Sequence, residues 1–402
     1  MKVIFWHSTY HPSFSGHALQ MDRLRQRLRA RGLDAEIWVR AQASGPTPHE
    51  QDGFRVRTFG PADESRWAEL LRLLKVSGAL IAAAPEYDVF QLSGLGIFTQ
   101  LLSLAPLLLG KPVVAQMTLM GADDPLILST GRLSSLKKAL HARFDRWVSL
   151  GGALTGAYQR AGLPSERLSI IPVAVDLTRF VPVADKRPLR RALGLPEERL
   201  IVVMVGHIIR RKGYDVLVEA MPQVLSRVPH AHFVFVGPEE PIIDPVPLGK
   251  WITERVAKLG IAEHLSRPGR TPRMPEYLQA ADVFVFPSRQ EGLPNAVLEA
   301  QACGLPVVMS QLEGVAEELI QPGIHGLVAP IGDAETLAQH LCTVLLDPAL
   351  RARMGAAGRA QIEARYDLER IADQWMALYQ QLCQARNAAR SGQAVSPSTV
   401  SE

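Results

Sequence analysis

Apolar runs of strand length alternate with helical patterns along almost the whole of this 402-residue chain. Such alternation is typical of α/β folds in which helices wrap parallel sheets. Strands are predicted at Lys2–Trp6, Ala35–Val39, Arg55–Phe59, Val89–Leu92, Pro112–Gln116, Leu168–Ile171, Leu200–Val205, His232–Val236, Asp282–Phe286 and Pro306–Met309. Helices are predicted at His17–Arg31, Tyr214–Val228, Pro247–Leu259 and Leu368–Gln384. A stretch rich in Pro, Arg and Leu at 180–197 interrupts the pattern, so we expect a linker between two doubly wound domains.

Composition and charge indicate a globular protein with an uneven charge distribution. The chain is 47% hydrophobic and 21% charged, which is typical of a globular protein. Residues 1–180 hold 21 Lys and Arg against 15 Asp and Glu, a net charge of +6, so the first half is the part expected to meet an acidic partner. The three cysteines share no close spacing, and the N-terminal sequence does not match a signal peptide. Both features predict a cytoplasmic protein.

A turn between a strand and a helix at 287–300 concentrates the chemistry of the second half. The strand Asp282–Phe286 ends there, and Pro294 is predicted in the first turn of the next helix, where proline is tolerated. The first N–H groups of a helix lack intrahelical partners and bind anions, phosphate above all. Glu291 lies in the loop before this helix, and Glu299 lies more than a turn inside it.

Two interpretations of these glutamates are open. Each carboxylate can accept hydrogen bonds from the vicinal hydroxyls of a sugar or a ribose. Alternatively, Glu299 is an exposed helical residue and Glu291 is a charge that favours the helix N-terminus. A glycosidase-like pair of acid and nucleophile is disfavoured, because residues before and inside a helix reach different parts of an extended ligand.

A basic loop follows the first strand of the second half. Gly206 lets the chain turn off that strand and Gly213 opens the next helix, with Arg210, Arg211 and Lys212 between them. At the carboxyl end of a parallel strand, this loop is well placed to receive a diphosphate. The alternative is a solvated basic loop.

Together these features resemble the retaining nucleotide-sugar glycosyltransferases of glycosyltransferase family 4, which have the GT-B fold. The resemblance covers residues 200 to 380. It rests on Gly206…Lys212-Gly213, Ala281-Asp282 leading to Pro287-Ser288, Glu291-Gly292-x-Pro294…Glu299-Ala300, Gly304-x-Pro306-Val307-Val308, and Gly326-Leu327-Val328 followed by Asp333.

The resemblance implies a domain plan. Two Rossmann-like domains face each other across a cleft: an N-terminal acceptor-binding domain at 1–180 and a C-terminal nucleotide-sugar-binding domain at 181–365. A helix at 366–385 crosses back to pack on the N-terminal domain. Residues 386–402 are expected to form a disordered tail.

The resemblance also implies roles for single residues. Lys212 contacts the donor diphosphate and Glu291 the transferred sugar, so these two are the candidate catalytic residues, while Glu299 binds the ribose hydroxyls. The family usually has arginine where this chain has His207, and we expect Arg210 or Arg211 to supply that charge. The complete set of predicted donor-binding residues is Gly16, His207, Arg210, Arg211, Arg270, Gly292, Leu293, Pro294, Asn295, Ala296, Val297 and Glu299.

Three of these assignments concern loops. The loop at 7–16 matches the family's glycine-bearing loop that closes on the donor phosphates, with Gly16 as its hinge-like residue. Arg270 is expected beside the nucleotide base, or is a surface cation. Thr118, Gly121 and Asp123 are predicted to line the acceptor site, or to form a plain turn. No metal or cofactor is predicted, because the GT-B scaffold typically uses side chains and helix ends instead.

The segment Ser129–Trp147 reads as a basic amphipathic helix, with six Arg, Lys and His residues among apolar ones. Such a helix can rest on an anionic membrane, which would suit a lipid-linked acceptor. The alternative is an ordinary surface helix whose apolar stripe lies in the domain core. The apolar stretch Ile97–Leu109 is too short to span a bilayer and predicts a buried helix.

The predicted function is transfer of a hexosyl unit from a nucleoside-diphosphate sugar to a saccharide or lipid-linked acceptor, with retention of anomeric configuration. The resemblance favours bacterial surface polysaccharide or glycolipid biosynthesis, at the inner face of the cell membrane and without a nucleic acid partner. Two alternatives stay open: a nucleotide-sugar epimerase or hydrolase of the same fold, and a sugar-nucleotide-binding protein without catalysis.

Overall fold

The computed structural model describes residues 1–7, 16–41, 49–51, 53–60, 65–119, 121, 123–131, 134–239 and 248–391. The chain forms two compact units, one from Met1–Ala174 with the chain from Leu368 onward, and the other from Val175–Asp367. The sequence places these boundaries at 180 and 365. The first junction lies earlier because Val175 N donates to Tyr366 O at 2.8 Å and Phe180 O accepts from Arg359, which ties residues 175–180 to the second unit.

The first unit is built on one sheet. Its strands are β1 (Lys2–His7), β2 (Asp34–Arg40), β3 (Glu50–Gln51), β4 (Phe54–Phe59), β5 (Val89–Ser93), β6 (Val113–Gln116), β7 (Arg146–Ser149) and β8 (Leu168–Ile170). Within the described residues the order is β3-β4-β2-β1-β5-β6-β7-β8, and every pair is parallel except the antiparallel β3 and β4. The carboxyl ends of the parallel strands therefore share one edge.

The helices of the first unit include one that returns from the far end of the chain. They are α1 (Gly16–Ala30), α2 (Arg66–Ala82), α3 (Ile97–Leu101), α4 (Leu104–Leu108), α5 (Pro125–Leu128), α6 (Ser134–His141), α7 (Gly152–Arg160) and α16 (Leu368–Ser391). The apolar stripe of α16 packs on α1 and β5, with Trp375 and Tyr379 fully buried. Residues 386–391, assigned to the tail by sequence, extend this helix, since they contain the helix formers Ala388 and Ala389. Residues 392–402 lie outside the described residues.

The predicted basic amphipathic helix Ser129–Trp147 is wrong. The described part of this segment holds only the short α6, and residues 146–149 form β7. Asp145 fixes the start of this strand, because its carboxylate accepts from Val113 N at 2.9 Å and its own N–H donates to Val113 O at 3.0 Å. Trp147 is fully buried and stacks on Phe144 with ring centroids 5.3 Å apart. Core packing of these aromatics overrides the helical spacing of the charges.

The apolar stretch Ile97–Leu109 is not one buried helix. It forms α3 and α4, separated at Ser103, whose hydroxyl donates to Gln100 O at 2.6 Å. Leu108 is 87% exposed. No helix among the described residues is both long enough and apolar enough to span a bilayer.

The second unit carries a fully parallel sheet. Its strands are β9 (Leu200–Val205), β10 (Ala231–Val236), β11 (Leu265–Gly269), β12 (Val283–Phe286), β13 (Val307–Ser310) and β14 (Gly326–Ala329), in the order β11-β10-β9-β12-β13-β14 within the described residues. The apolar runs LIVVMV and VFVF of β9 and β12 are buried along almost their whole length, as expected of strands covered on both faces.

Helices cover both faces of this sheet. They are α8 (Arg187–Ala192), α9 (Tyr214–Arg227), α10 (Leu248–Lys258), α11 (Met274–Ala280), α12 (Asn295–Ala302), α13 (Ala316–Leu319), α14 (Ala334–Leu346) and α15 (Pro348–Arg365). The predicted linker at 180–197 therefore contains a helix, α8. Arg190 fixes α8 to the sheet, since its guanidinium donates to Asp282 at 2.7 Å and to Ala280 O at 2.9 Å.

Candidate active site

The candidate site of the second unit lies where the strand order reverses. From β9 the chain proceeds outward to β10 and β11, whereas β12 and β13 lie on the other side of β9. The loops that follow β9 and β12 therefore diverge and leave a crevice at the carboxyl edge, which is where open α/β sheets bind ligands. The loop after β9 is residues 206–213, and the loop after β12 is residues 287–294.

Close backbone packing holds these two loops together. Gly213 has φ 81°, and a Cβ at this position would lie 1.9 Å from Pro287 O. Arg289 N donates to Arg211 O at 2.8 Å, and Ser288 Oγ lies 3.1 Å from the same oxygen. Only glycine allows the loops to approach this closely.

Lys212 and Glu291 meet in this crevice. Lys212 Nζ lies 2.7 Å from Glu291 Oε1, and the same oxygen accepts from Ser288 Oγ at 2.7 Å and from Arg211 Nη1 at 3.1 Å. The Lys212 and Glu291 side chains are only 16% and 9% exposed, and Lys212 Nζ lies 5.2 Å from the Phe286 ring centroid. Sequence reasoning assigned the two residues to different parts of a donor and did not predict their contact.

Burial lowers the pKa of Lys212. The attraction of Glu291 opposes this effect, and the positive charge of Arg211 adds to it. The ammonium group is therefore held in an environment that favours loss of its proton more than water does. Lys212 therefore loses its positive charge at a lower pH than an ordinary lysine does.

We expect kcat/KM to fall on its alkaline side below pH 10.5, the ordinary lysine pKa. As pH rises through the lowered pKa, Lys212 loses its proton and with it the positive charge. Lys212→Arg should move this decline to higher pH, because a guanidinium stays protonated. The pH profile of kcat/KM tests this, since it reports groups of the free enzyme. Identical alkaline limbs in the two proteins would contradict the assignment.

Helix α12 begins at Asn295, four residues after Glu291. Pro294 is the residue before the helix, with φ −77° and ψ 108°, and not part of its first turn as predicted. Proline has no N–H group, and Pro294 makes no side-chain cap. Val297 N donates to Pro294 O at 3.1 Å, so the N–H groups of Asn295 and Ala296 precede the first intrahelical bond. Gly292 and Leu293, just before them, are buried.

Glu299 is buried in α12 and is not the exposed helical residue that one interpretation allowed. It is only 7% exposed. Cys303 lies one turn later in the chain. Burial raises the pKa of its thiol to about 12, and the negative charge of Glu299 contributes to a smaller degree. A carboxylate kept so far from bulk water is placed for specific hydrogen bonds.

The neighbouring cations occupy different places. Arg211 reaches Glu291, whereas Arg210 lies 3.6 Å from Asp215 and 5.9 Å from the Trp251 ring centroid. Asp215 also accepts two bonds from Arg289, at 2.8 and 2.9 Å. Sequence reasoning did not single out Asp215 or Trp251, and it assigned no role to Ser288 or Arg289 within the turn at 287–300. The position of Asp215 in the first turn after the basic loop was the available signal.

The remaining predicted donor-binding residues lie on three different segments. His207 is half-buried in the loop after β9, where its carbonyl accepts from Ile209 N at 2.9 Å. Arg270 is exposed and directly follows β11, at the same carboxyl edge but two strands away from β9. Gly16 begins α1 in the first unit, and residues 8–15 of its predicted loop lie outside the described residues.

The predicted acceptor residues form a hydrogen-bonded turn after β6. The Asp123 carboxylate accepts from Thr118 N at 2.9 Å, from Leu119 N at 2.7 Å and from Thr118 Oγ. Burial raises the pKa of Asp123, although these three donors oppose the effect. Asp124 accepts from Gly121 N at 2.6 Å. The turn interpretation is therefore correct for the local structure.

The same turn also lines a cavity of about 380 Å³ at the carboxyl edge of the first sheet. Trp6, Thr118 and Asp123 are among its walls, but Gly121 is not. A charged cluster in the same lining joins Glu69 to Arg40 at 3.3 Å and to Arg72 at 2.5 Å. The cavity thus offers both donors and acceptors, as a pocket for a hydroxyl-rich ligand does. Within the described residues there is no group of three or more metal-ligating side chains.

Two family models cover most of the chain. The model for the glycosyl transferase 4-like domain matches residues 15–174, and the model for glycosyl transferases group 1 matches residues 185–361. The chain belongs to the family 4-type glycosyltransferases. The resemblance identified from sequence is thereby confirmed.

Relatives of this glycosyltransferase chain include proteins named for lipid and inositol acceptors. A GDP-mannose-dependent monoacylated alpha-(1-6)-phosphatidylinositol monomannoside mannosyltransferase of Corynebacterium glutamicum is 36% identical over 50% of this chain and 52% of its own length. D-inositol 3-phosphate glycosyltransferase 1 of Catenulispora acidiphila is 29% identical over 87% of this chain and 86% of its own. The chain spans about half the length of the first relatives that it matches.

Solved structures share the fold of this glycosyltransferase chain. HepE of Anabaena, in complex with UDP and glucose, aligns with a TM-score of 0.77 at 20% identity, over 95% of this chain and 100% of its own. Sucrose-phosphate synthase of Thermosynechococcus elongatus aligns with a TM-score of 0.78 at 23% identity, over 96% and 99%. The predicted α/β fold with two doubly wound, GT-B-type domains is confirmed.

Proposed function

We propose that the protein transfers a hexosyl unit from a nucleoside-diphosphate sugar to a saccharide or lipid-linked acceptor, with retention of anomeric configuration. The observation that carries this proposal is the buried Lys212–Glu291 pair, 2.7 Å apart, with Glu291 in the loop that leads into α12. A cation and free helix N–H groups are the groups that bind a diphosphate, and a fixed carboxylate beside them suits the hydroxyls of its sugar.

The residues of this site have separate tasks in the proposed reaction. As the bond to the sugar breaks, negative charge grows on the departing diphosphate. Lys212, Arg211 and the N–H groups of Asn295 and Ala296 stabilise that charge, because they are oriented before the reaction begins. Glu291, held in place by Ser288, binds the sugar. Arg211 takes the role of the family arginine that is absent at His207. The proposal includes no metal and no cofactor.

Glu299 and Arg270 complete the donor site. Glu299 accepts hydrogen bonds from the ribose hydroxyls, for which its burial in α12 is suitable. Arg270, at the carboxyl end of β11, lies beside the base. We place the acceptor in the cavity of the first unit lined by Thr118 and Asp123.

The setting we propose is glycolipid or surface polysaccharide biosynthesis at the cytoplasmic face of a bacterial membrane, with peripheral contact to anionic lipid. The support comes from relatives named for phosphatidylinositol mannoside and for the lipopolysaccharide core. GDP-mannose is the first donor to test, because it appears in the names of several relatives, and UDP-glucose is the second.

A donor screen tests the function. The full chain is incubated with GDP-mannose, UDP-glucose and ADP-glucose, each with and without a lipid-linked saccharide. We expect release of nucleoside diphosphate from one donor that requires the acceptor, and a product whose NMR spectrum shows the donor's anomeric configuration. Turnover without acceptor would favour the epimerase or hydrolase, and binding without turnover would favour the non-catalytic protein.

A further inference from the structure

Helix α2 presents an apolar stripe to solvent. Its most exposed apolar side chains are Trp67, Leu71, Leu74 and Ile81, which are 76%, 48%, 61% and 56% exposed. Spacings of four, three and seven residues place them on one side of a helix, with Gly78 between the last two. We call this stripe, 67–81, the outer face of α2. Contiguous exposed apolar surface of this kind marks an interaction site.

The opposite side of α2 buries Ala68, Val76 and Leu80 together with charged groups. Arg72 is buried, and its guanidinium lies 2.5 Å from Glu69. Both residues line the 380 Å³ cavity of the first unit. A helix that faces water on one side has the reverse arrangement, with its charges outward. The side of α2 that lines the cavity can therefore contact a polar ligand, and its outer face can contact an apolar medium.

Helix α4 extends the apolar surface. It packs against α2, and its Leu104 and Leu108 are 43% and 87% exposed. These leucines are four residues apart and so lie on the same side of α4. Two neighbouring helices thus contribute to the surface.

The exposed charged side chains of α2 itself are positive. Arg66 and Lys75 are exposed, and neither forms an ion pair within the described part of the chain. Glu69 is the only acidic residue between 66 and 82, and it pairs with Arg40 and Arg72. A two-fold contact with a second copy would bring the cations of both copies together. An anionic surface complements them instead.

We propose that the outer face of α2, with Leu104 and Leu108 of α4, lies in the headgroup region of an anionic bilayer. This inference rests on the proposed function, since a lipid-linked acceptor must present its saccharide to the cavity on the other side of the same helix. Trp67 is the type of residue that settles at a membrane interface, with an apolar ring and a polar N–H. Lys75 and Arg66 meet the lipid phosphates.

Vesicle co-sedimentation of the full chain tests this. Vesicles consist of phosphatidylcholine alone, or of equal parts phosphatidylcholine and phosphatidylglycerol. We expect binding to the anionic vesicles, and a loss of roughly tenfold or more in affinity for the variant Trp67→Ser/Leu71→Ser/Leu74→Ser. Lys75→Glu should weaken binding to the anionic vesicles only. The matched control is Ile324→Ser/Ile331→Ser/Leu346→Ser, three apolar residues of the second unit that are 43%, 49% and 51% exposed, and it should bind like wild type.

Fluorescence of the wild-type chain gives a second readout that needs no disruptive variant. Trp67 is by far the most exposed of the tryptophans for which an exposure is given. Anionic vesicles should shift its emission to the blue and protect it from iodide quenching. Trp67→Phe should keep the binding and lose the shift. An unchanged wild-type spectrum would overturn the proposal.

Other outcomes identify other occupants. If the triple variant binds vesicles like wild type, the surface is elsewhere; if wild type is a dimer and only the triple variant is a monomer, the occupant is a second copy. Transfer to a water-soluble acceptor without vesicles separates this inference from the proposed function. Transfer without vesicle binding would support the proposed function and contradict the proposed membrane contact. Vesicle binding without any nucleotide release would support the membrane contact and contradict the proposed function.

Discussion

Replacing Lys212 with alanine is expected to lower kcat by roughly 100- to 1,000-fold, the usual effect of removing one preoriented charge that stabilises a transition state. The lysine lies 2.7 Å from Glu291 in a site where both side chains are largely buried, so water replaces its charge poorly. Steady-state kinetics with the donor found in the screen measures the change. The Kd of the donor should rise less than kcat falls, because charge on the diphosphate grows as the bond breaks.

The contact with Glu291 makes a double-mutant cycle informative. Because Lys212 and Glu291 share one ion pair, the losses from Lys212→Ala and Glu291→Ala should not add in the double variant. Lys250→Ala is the matched control, since Lys250 is a largely exposed lysine of the same unit, 3.8 Å from Glu254. A kcat of Lys212→Ala within twofold of this control would remove Lys212 from the proposed chemistry.

Gly213→Ala is expected to lower the free energy of unfolding of the second unit by about 3 kcal/mol or more. The new Cβ would lie 1.9 Å from Pro287 O, and a backbone carbonyl cannot move aside as a flexible side chain can. The φ of 81° is also unfavourable for alanine. Relief of the clash would separate the loop that carries Lys212 from the loop that carries Glu291, so activity should fall with stability. Denaturant unfolding of both proteins measures the loss.

Gly260→Ala is the control that separates strain from steric conflict. Gly260 also has a positive φ, 69°, but a Cβ there would meet nothing within 4 Å. The Gly260→Ala substitution should lower the free energy of unfolding by only about 1–2 kcal/mol, the ordinary penalty for alanine in a left-handed conformation. Equal losses at the two positions would show that the approach of Gly213 to Pro287 does not fix the site.

Much of the second unit could be predicted from sequence. The apolar runs of β9 and β12 and the helical spacing in α9 are strong local patterns, and the structure has these elements within a residue or two of the predicted bounds. A helix was also predicted at Pro294, and α12 begins at the next residue. Weaker patterns failed. The strands β11 (LSRPG) and β14 (GLVA) contain Pro or Gly and were not predicted, because pairing with the neighbouring strands β10 and β13 stabilises them.

The first unit shows where local pattern misleads. Charges at helical spacing predicted one helix at 129–147. The residues around Trp147 form strand β7 instead, because Trp147 is buried in the sheet. The single amphipathic helix from which membrane contact was expected is therefore not present among the described residues. The outer face of α2 was not singled out, because an apolar stripe on an isolated helix predicts burial, and only the packed structure shows that Trp67 and Leu74 remain exposed.

The sequence by itself determined the fold class, the family and the places of Lys212, Glu291 and Glu299 along the chain, because these depend on local periodicity and on short motifs. Only the tertiary structure decided that Lys212 and Glu291 touch. The two residues are 79 positions apart, and their contact requires that β12 pair with β9 and that Gly213 pack against Pro287. Strand order and loop packing are properties of the assembled sheet, so no local pattern encodes them.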